Sequence, residues 1–264
     1  MDKSVKNWTD LKARVGAGIA MVVIGLVGIA FGGHLFHLLV GVICGLMVWE
    51  LVGMIRPGVL HLQLQLGVLA GAAVFIAPYL PVWLALLIFM AFVAFGVSQF
   101  RINRRLFAAF AGMILLAGMS LMHLRDFYGF GWEIWLVLVV VVTDIAGYFA
   151  GRMFGGPKFW PAISPKKTWS GTVAGWIGAA LVGLVFSINT GVGFQLVIVS
   201  MLIALASQMG DIAESALKRK MGVKDSSSLI PGHGGLMDRF DGMLGAALFL
   251  LVLSPFVGFP AGLN

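Results

Sequence analysis

Acidic residues in the C-terminal half of the chain stand in places that favour chemistry. Asp144 lies inside an apolar run, Val-Val-Thr143-Asp144-Ile-Ala-Gly147-Tyr148, eight residues before Arg152. On a helix that separation is about 12 Å, and a carboxylate so deep needs a polar cavity, a cation or a partner. Asp211 and Glu214 are three apart in Gly210-Asp211-Ile-Ala-Glu214-Ser215 and share a helix face. Asp238 and Asp241 are also three apart, where a carboxylate could equally do no more than answer the dipole of a starting helix. As a set these are hard oxygen donors, suited to Mg²⁺ with water and phosphate completing the shell.

Two basic, glycine-bearing segments accompany them. One is Ser164-Pro165-Lys166-Lys167-Thr168-Trp169-Ser170-Gly171; the other, Pro231-Gly232-His233-Gly234-Gly235, follows Lys218, Arg219, Lys220 and Lys224. Ammonium groups, hydroxyls, glycine N–H groups and a helix start together suit a phosphate. Either segment alone could be charge that marks the cytoplasmic side of a membrane. Beside the carboxylates, both point to a polyphosphate with its metal. No thiol or imidazole cluster competes: His34, His37, His61 and His123 fall at the ends of apolar runs, and the single Cys44 lies within one, where no intrachain disulfide is open to it.

The elements that must carry these groups follow from composition. Of 264 residues 60% are hydrophobic and only 11% charged, against roughly a quarter charged in a soluble domain, which excludes an ordinary soluble globule. The 36 glycines follow no Gly-X-Y period and no low-complexity tract, which excludes collagen and disorder. Apolar runs near the length of a membrane span predict about nine transmembrane helices, over 14–33, 35–55, 62–79, 81–99, 105–123, 133–153, 171–189, 192–217 and 241–259. The third and fourth divide at Pro78-Tyr79-Leu80-Pro81, since two prolines so close oppose a continuous helix, although one kinked helix over 62–97 is the alternative. With the N-terminus in the cytoplasm and the C-terminus outside, every lysine and arginine except Arg125 falls on the cytoplasmic face. The net charge of +7 is then largely topology, with some attraction to anionic lipid and no nucleic-acid partner.

The expected class is therefore an all-α polytopic membrane protein with an uncleaved first helix. Residues 1–130 are expected to form N-terminal helices for packing and a lipid groove, and residues 131–264 the catalytic helices with their cytoplasmic loops. Small residues four apart, at Gly28 and Gly32, Gly41 and Gly45, Gly67 and Gly71, and Gly147 and Gly151, allow close helix approach, within one protomer rather than along a dimer seam. Glu50, beside Trp49 near a helix end, is expected at the interface or paired with Arg56.

The stretch 215–241, SALKRKMGVKDSSSLIPGHGGLMDRFD, resembles the signature of the CDP-diacylglycerol synthases, or phosphatidate cytidylyltransferases. Ser215, Lys218, Arg219, Lys224, Asp225, Ser227, Ile230, Pro231, His233, Gly234, Gly235, Asp238, Arg239 and Asp241 occupy its places without a gap. Asp144 with Ala146, Tyr148, Gly151, Arg152, Phe154 and Gly155, and then Ile163 to Thr168, are also similar to that family, so the motif-bearing part runs over roughly 143–245. One departure is Ser170, where relatives often carry Glu; no metal or base is assigned there.

The resemblance implies the reaction of CTP with phosphatidate, assisted by a divalent metal, Mg²⁺, with a second cation left open, in a homodimer. It implies Asp211, Asp238, Asp241 and Asp144 as metal ligands, with Asp211, Asp238, Asp241, Lys167 and Arg239 as the catalytic set. Substrate contacts fall to Ser164, Lys166, Lys218, Arg219, Lys224, Arg152, His233, Gly234 and Gly235, the last three shaping a nucleotide phosphate loop. A bacterial inner membrane, with the site facing the cytoplasm, is the expected location. The rivals are a CTP-dependent enzyme acting on another lipid phosphate or a polyprenol, and an ion-coupled transporter using Asp144. The transporter predicts midplane charges in paired halves of the chain, and the charges here gather on one face of one half.

Overall fold

The computed structural model describes residues 3–230, 232–254 and 256, with side chains from Arg14 onward. Pro231 of the signature and the end of the last expected span lie outside the described residues. Among the described residues there are nine α-helices: α1 (Lys3–Phe31), α2 (Gly33–Ile55), α3 (Leu60–Ile76), α4 (Val82–Ser98), α5 (Arg104–Tyr128), α6 (Phe130–Phe154), α7 (Trp169–Thr190), α8 (Gln195–Met221) and α9 (Met237–Leu253). A short 3-10 turn, Ala77–Tyr79, and extended Leu80 separate α3 from α4 at the two prolines, so two helices form there. Seven of the helices are long and apolar enough to cross a membrane; α4 and α9 have 17 residues each. Many large apolar side chains point outward, among them Val68 at 69%, Met90 at 59% and Ile188 at 74% exposure. That is the reverse of a soluble fold and suits contact with lipid. The chain is a polytopic, predominantly helical membrane protein.

One hairpin departs from the all-α expectation. Strand β1 (Lys158–Trp160) pairs antiparallel with β2 (Ser164–Thr168), in register Lys158 to Thr168 and Trp160 to Ser164. Pro161, with φ preset for a turn, follows β1, and the Ile163 N–H closes the turn on the Trp160 carbonyl at 3.2 Å. The basic segment that begins at Ser164 therefore opens as an ordered strand rather than a loop. Thr168 ends it as the N-cap of α7, accepting from the Gly171 N–H at 3.2 Å.

The chain divides into two compact units. Unit 1 is Met1–Leu115 with Met221–Arg239, and unit 2 is Leu116–Lys220 with Phe240–Asn264. Within unit 1, α2 and α3 touch backbone to backbone: a Cβ at Gly45 would stand 2.7 Å from the Gly67 carbonyl, and one at Gly41 2.9 Å from that of Gly71. Two of the expected small-residue pairs thus meet each other inside one protomer. Gly45→Val is expected to lower stability by about 1–3 kcal/mol through overpacking, read as an earlier unfolding midpoint in detergent. At one end of this unit the Nδ1 atoms of His34 and His37 both face the Tyr79 hydroxyl, at 2.5 and 2.9 Å. Cys44 is buried, its thiol directed to the Ile114 carbonyl at 3.6 Å.

Unit 2 is built on fully buried Trp132, Trp135, Leu136, Val139, Leu196 and Ile203. The Trp135 indole N–H donates to the Ser200 hydroxyl at 3.1 Å, so its polar edge is satisfied inside the core. Gly147 and Gly151 on α6 face Gly171 and Thr168 at the start of α7; a Cβ at Gly171 would meet the Gly147 carbonyl at 2.6 Å. On the other side Gly210 of α8 lies against the Asp241 carbonyl and Gly245 of α9. These close approaches set α6, α7, α8 and α9 side by side in the unit that carries Asp144, Lys167, Asp211 and Asp241.

Candidate active site

A cavity of about 590 Å³ opens in unit 2, and Asp144, Arg152, Lys166, Lys167, Gln208 and Asp211 are among its lining residues. Each comes from an element whose position is fixed by packing. Helix α6 supplies Asp144 and Arg152, two turns apart on one side, and the Arg152 guanidinium donates to the Tyr148 hydroxyl at 2.9 Å. Lysines 166 and 167 come from β2. The adjoining Ser170 hydroxyl donates to the Gly155 carbonyl and ties the start of α7 to the end of α6. Ser170, the departure from the resembled pattern, thus joins the two helices that flank the hairpin.

The centre of the cavity is an ion pair. Lys167 Nζ lies 2.5 Å from Asp211 Oδ2, with side chains 24% and 31% exposed. Ser215, one turn further along α8, donates its hydroxyl to Asp211 Oδ1 at 3.3 Å. Gln208 forms the wall: its Oε1 accepts from the Trp176 indole at 3.0 Å and its amide donates to the Thr172 carbonyl at 3.2 Å. Both ends of that amide are held, so the α8 backbone beside Asp211 is rigid where Lys167 approaches it. Asp241, on α9, lies in the electrostatic field of Asp211 and Asp144 and, with opposite sign, of Lys218. The Gly242 N–H donates to its Oδ1 at 2.7 Å.

The expected partners on α8 separate. Glu214 is 1% exposed and pairs with Lys218 Nζ at 2.5 Å, one turn away on the same helix. Lys218, expected as a phosphate contact, is thus held by a buried carboxylate. Arg219, beyond it, is exposed, and so is Lys224 in unit 1. Ser164, at the start of β2, is half-buried.

In unit 1 the signature segment is organised by a residue from elsewhere in the sequence. Glu50 of α2 is 1% exposed and directs both carboxylate oxygens at this segment. Its Oε1 accepts from the Ser227 hydroxyl at 2.6 Å and the Leu236 N–H at 2.8 Å; its Oε2 accepts from the Met237 N–H at 2.7 Å and faces the Ser226 hydroxyl at 3.2 Å. Glu50 is therefore a buried cap on the start of α9, where a negative charge is favoured. The expectation of an interfacial residue, or of one paired with Arg56, is corrected: Glu50 is buried, and Arg56 donates to the Gln99 carbonyl at 3.3 Å.

Asp238 completes the arrangement. Its Oδ2 accepts from the Ser226 N–H, the Ser226 hydroxyl and the Gly235 N–H, each at 2.8 Å. The Ile230 N–H donates to the Gly234 carbonyl at 2.8 Å, and the His233 N–H to the Ile230 carbonyl at 3.0 Å. Gly232 and Gly234 have φ of +74° and +83°, and a Cβ at Gly235 would overlap Ser226 and the Glu50 carboxylate. These glycines close a tight turn around two carboxylates. The N–H of Gly235, expected with His233 and Gly234 to shape a phosphate loop, donates to Asp238, and those of Leu236 and Met237 donate to Glu50. Arg239, next in sequence, is exposed.

A divalent metal can be weighed against these donors. Among the described residues no group of three or more His, Cys, Asp or Glu is gathered closely enough to hold an ion unaided. Asp144, Asp211, Asp238 and Asp241 are thus not a ready-made cage. Mg²⁺ in nucleotide sites is held by one or two carboxylates together with substrate phosphates, and the carboxylate of Asp211, with Asp144 in the same cavity and Asp241 nearby, fits that demand in kind.

Comparison with known proteins covers the same elements. A phosphatidate cytidylyltransferase of Brucella suis is 43% identical over 143 residues, 53% of each chain. That of Staphylococcus saprophyticus is 39% identical over 166 residues, 60% of this chain and 64% of its own, and that of Helicobacter pylori 43% identical over 126 residues, 47% of each. In these matches the chain spans about half to two thirds of the length of its curated relatives. A family model described as the Cytidylyltransferase family matches residues 12–257. Because that match reaches from α1 to the end of α9 and takes in both units, the chain belongs to the cytidylyltransferase family.

Proposed function

We propose that this chain transfers CMP from CTP to phosphatidate, giving CDP-diacylglycerol and pyrophosphate. The observation that carries the proposal is the unit 2 cavity, where Arg152, Lys166 and Lys167 stand with Asp144 and Asp211 in a family whose named relatives are phosphatidate cytidylyltransferases. A phosphate oxygen of phosphatidate forms a bond to the α-phosphorus of CTP, and the bond from that phosphorus to the bridging oxygen breaks as pyrophosphate leaves. The attacking oxygen is already anionic, so the site needs alignment and charge neutralisation rather than a strong base. Arg152, Lys166 and Lys167 bind the triphosphate, and Lys167 is oriented for this by Asp211. Mg²⁺, held by Asp211 and Asp241 with Asp144, would neutralise developing charge on the phosphates. Asp238, Arg239 and Lys224 belong to unit 1 and join the proposal through the family signature alone.

The same proposal includes nine membrane spans with a cytoplasmic N-terminus and an external C-terminus. It places the protein in a bacterial inner membrane as a homodimer, with a lipid groove within residues 1–130 and the catalytic helices within 131–264. The test is pyrophosphate release by purified protein in micelles with CTP, Mg²⁺ and phosphatidate, omitting each in turn. Release that requires all three is the expected result. No release with phosphatidate, but release with a polyprenol or another lipid phosphate, would keep the CTP chemistry and replace the acceptor.

A further inference from the structure

Unit 1 contains a second cavity, of about 440 Å³, lined by Arg14, Val15, Gly18, Ile19, Val22, Val23 and His233. Its make-up is that of an amphiphile's site. Arg14, Gly18 and Val22 form one stripe of α1 at intervals of four, and Val15, Ile19 and Val23 form the adjoining one. The four apolar side chains are all more than half exposed, between 51% and 61%. The apolar trough runs about 13 Å along the helix, at 1.5 Å per residue from Arg14 to Val23. Its charged end is where Arg14 meets the signature turn: a Cβ at Gly232 would overlap the Arg14 side chain, and Gly18 leaves the floor open, a Cβ there standing 3.9 Å from His233 Nε2.

We propose that this groove of unit 1 receives a lipid phosphate monoester, with Arg14 and His233 holding the phosphate and the α1 stripes receiving an acyl chain. The inference rests on the proposed reaction for the identity of the lipid. A guanidinium offers a planar fork to phosphate oxygens and is weakly hydrated, which suits it to the headgroup level. A phosphate monoester presents three terminal oxygens and up to two charges; a diester such as phosphatidylglycerol presents two such oxygens and one charge. Donors from two elements, one on α1 and one on the turn, therefore favour the monoester. The same turn is held by Glu50 and Asp238, so His233 faces the lipid from a fixed backbone.

The experiment uses the full chain in phosphatidylcholine micelles with photoactivatable phosphatidate and phosphatidylglycerol, in wild type, Arg14→Ala, Arg14→Lys and Gly18→Leu. Phosphatidate should be captured in preference to phosphatidylglycerol. Capture should fall on the order of tenfold in Arg14→Ala, the loss of one charge-assisted contact, and also in Gly18→Leu, whose side chain fills the floor; Arg14→Lys should keep part of it. In steady-state kinetics KM for phosphatidate should rise by a similar factor, with kcat and KM for CTP changing by less than about twofold. Equal capture of both lipids with no effect of Arg14→Ala would overturn the proposal, leaving Arg14 as a general anchor to anionic headgroups. A rise in KM for CTP alone would overturn it too, giving the groove to the nucleotide. Selective capture that depends on Arg14, without turnover in wild type, would uphold the groove and dismiss the proposed reaction.

Discussion

Asp211→Asn is expected to lower kcat by about two to three orders of magnitude, the scale seen when one preorganised electrostatic group is removed from a phosphate or oxyanion site. Unfolding should change little. The carboxylate is 31% exposed and its pair with Lys167 is open to the cavity, and ion pairs of that kind contribute about 0–1 kcal/mol. A purely structural pair therefore predicts nearly normal turnover, and the two roles separate by rate rather than by stability. Lys167→Met should show a loss of the same order. If the two residues act as one unit, the double variant should be only slightly slower than either single one. Losses that multiply would mean that Lys167 and Asp211 serve different phosphates. The Mg²⁺ concentration for half-maximal rate should rise in Asp211→Asn and Asp241→Asn but not in Lys167→Met, which divides metal binding from triphosphate binding. Pyrophosphate release over a Mg²⁺ titration measures all of these, and full activity in Asp211→Asn would remove the centre of the site.

What places these groups together is mostly glycine. Asp211 sits beside Gly210, which lies against the Asp241 carbonyl, and the α6–α7 contact through Gly147 and Gly171 brings the helix with Asp144 and Arg152 against the N-cap that follows Lys167. Side chains at these crossings would push the helices apart and widen the cavity. In the proposed reaction, phosphate oxygens, metal and carboxylates would have to meet within coordination and hydrogen-bonding distances, which gives these positions without a side chain their weight.

Hydropathy made the helices legible: among the described residues each expected span overlaps one helix, seven of them long and apolar enough to cross a membrane, and Pro78 and Pro81 marked the division of α3 from α4. Lys167 and Asp211 stood out by type, and they share a cavity. The hairpin was not legible, because Ser-Pro-Lys-Lys-Thr has neither alternation nor β-branched content beyond its last residue, and its pairing comes from the turn at Pro161 and the cap at Thr168. The pairing of Glu214 with Lys218 was available from their spacing of four, yet the surrounding signature drew Lys218 toward a phosphate role. Glu50 was beyond reach for a different reason. A single carboxylate near a helix end reads locally as interfacial, and its partners lie 176 to 187 residues away. Only a buried position could have signalled it, and burial is a tertiary property.

Glu50→Ala is expected to be the most damaging change outside the cavity, costing about 3–5 kcal/mol, since three donors lose their acceptor at about 1–3 kcal/mol each and relaxation recovers part of it. Two backbone N–H groups, of Leu236 and Met237, and the Ser227 hydroxyl would lose their acceptor in a dry setting. The Ser226 hydroxyl has one proton, already nearer Asp238 at 2.8 Å than Glu50 at 3.2 Å, so its loss matters less. Glu50→Gln separates charge from shape. Its remaining oxygen can serve Ser227 and Leu236, but its NH₂ then faces the Met237 N–H, donor against donor. That variant should fall between wild type and Glu50→Ala in unfolding midpoint. Glu50→Asp, one methylene shorter, should not restore wild-type behaviour, because both oxygens must reach across to a different segment. Proteolysis at 225–237 and the unfolding midpoint in detergent measure the effect, and the turnover of the variant that stays folded shows what the turn contributes to catalysis. A midpoint and a cleavage pattern unchanged in Glu50→Ala would mean that the signature turn holds itself, by Asp238 and its glycines alone.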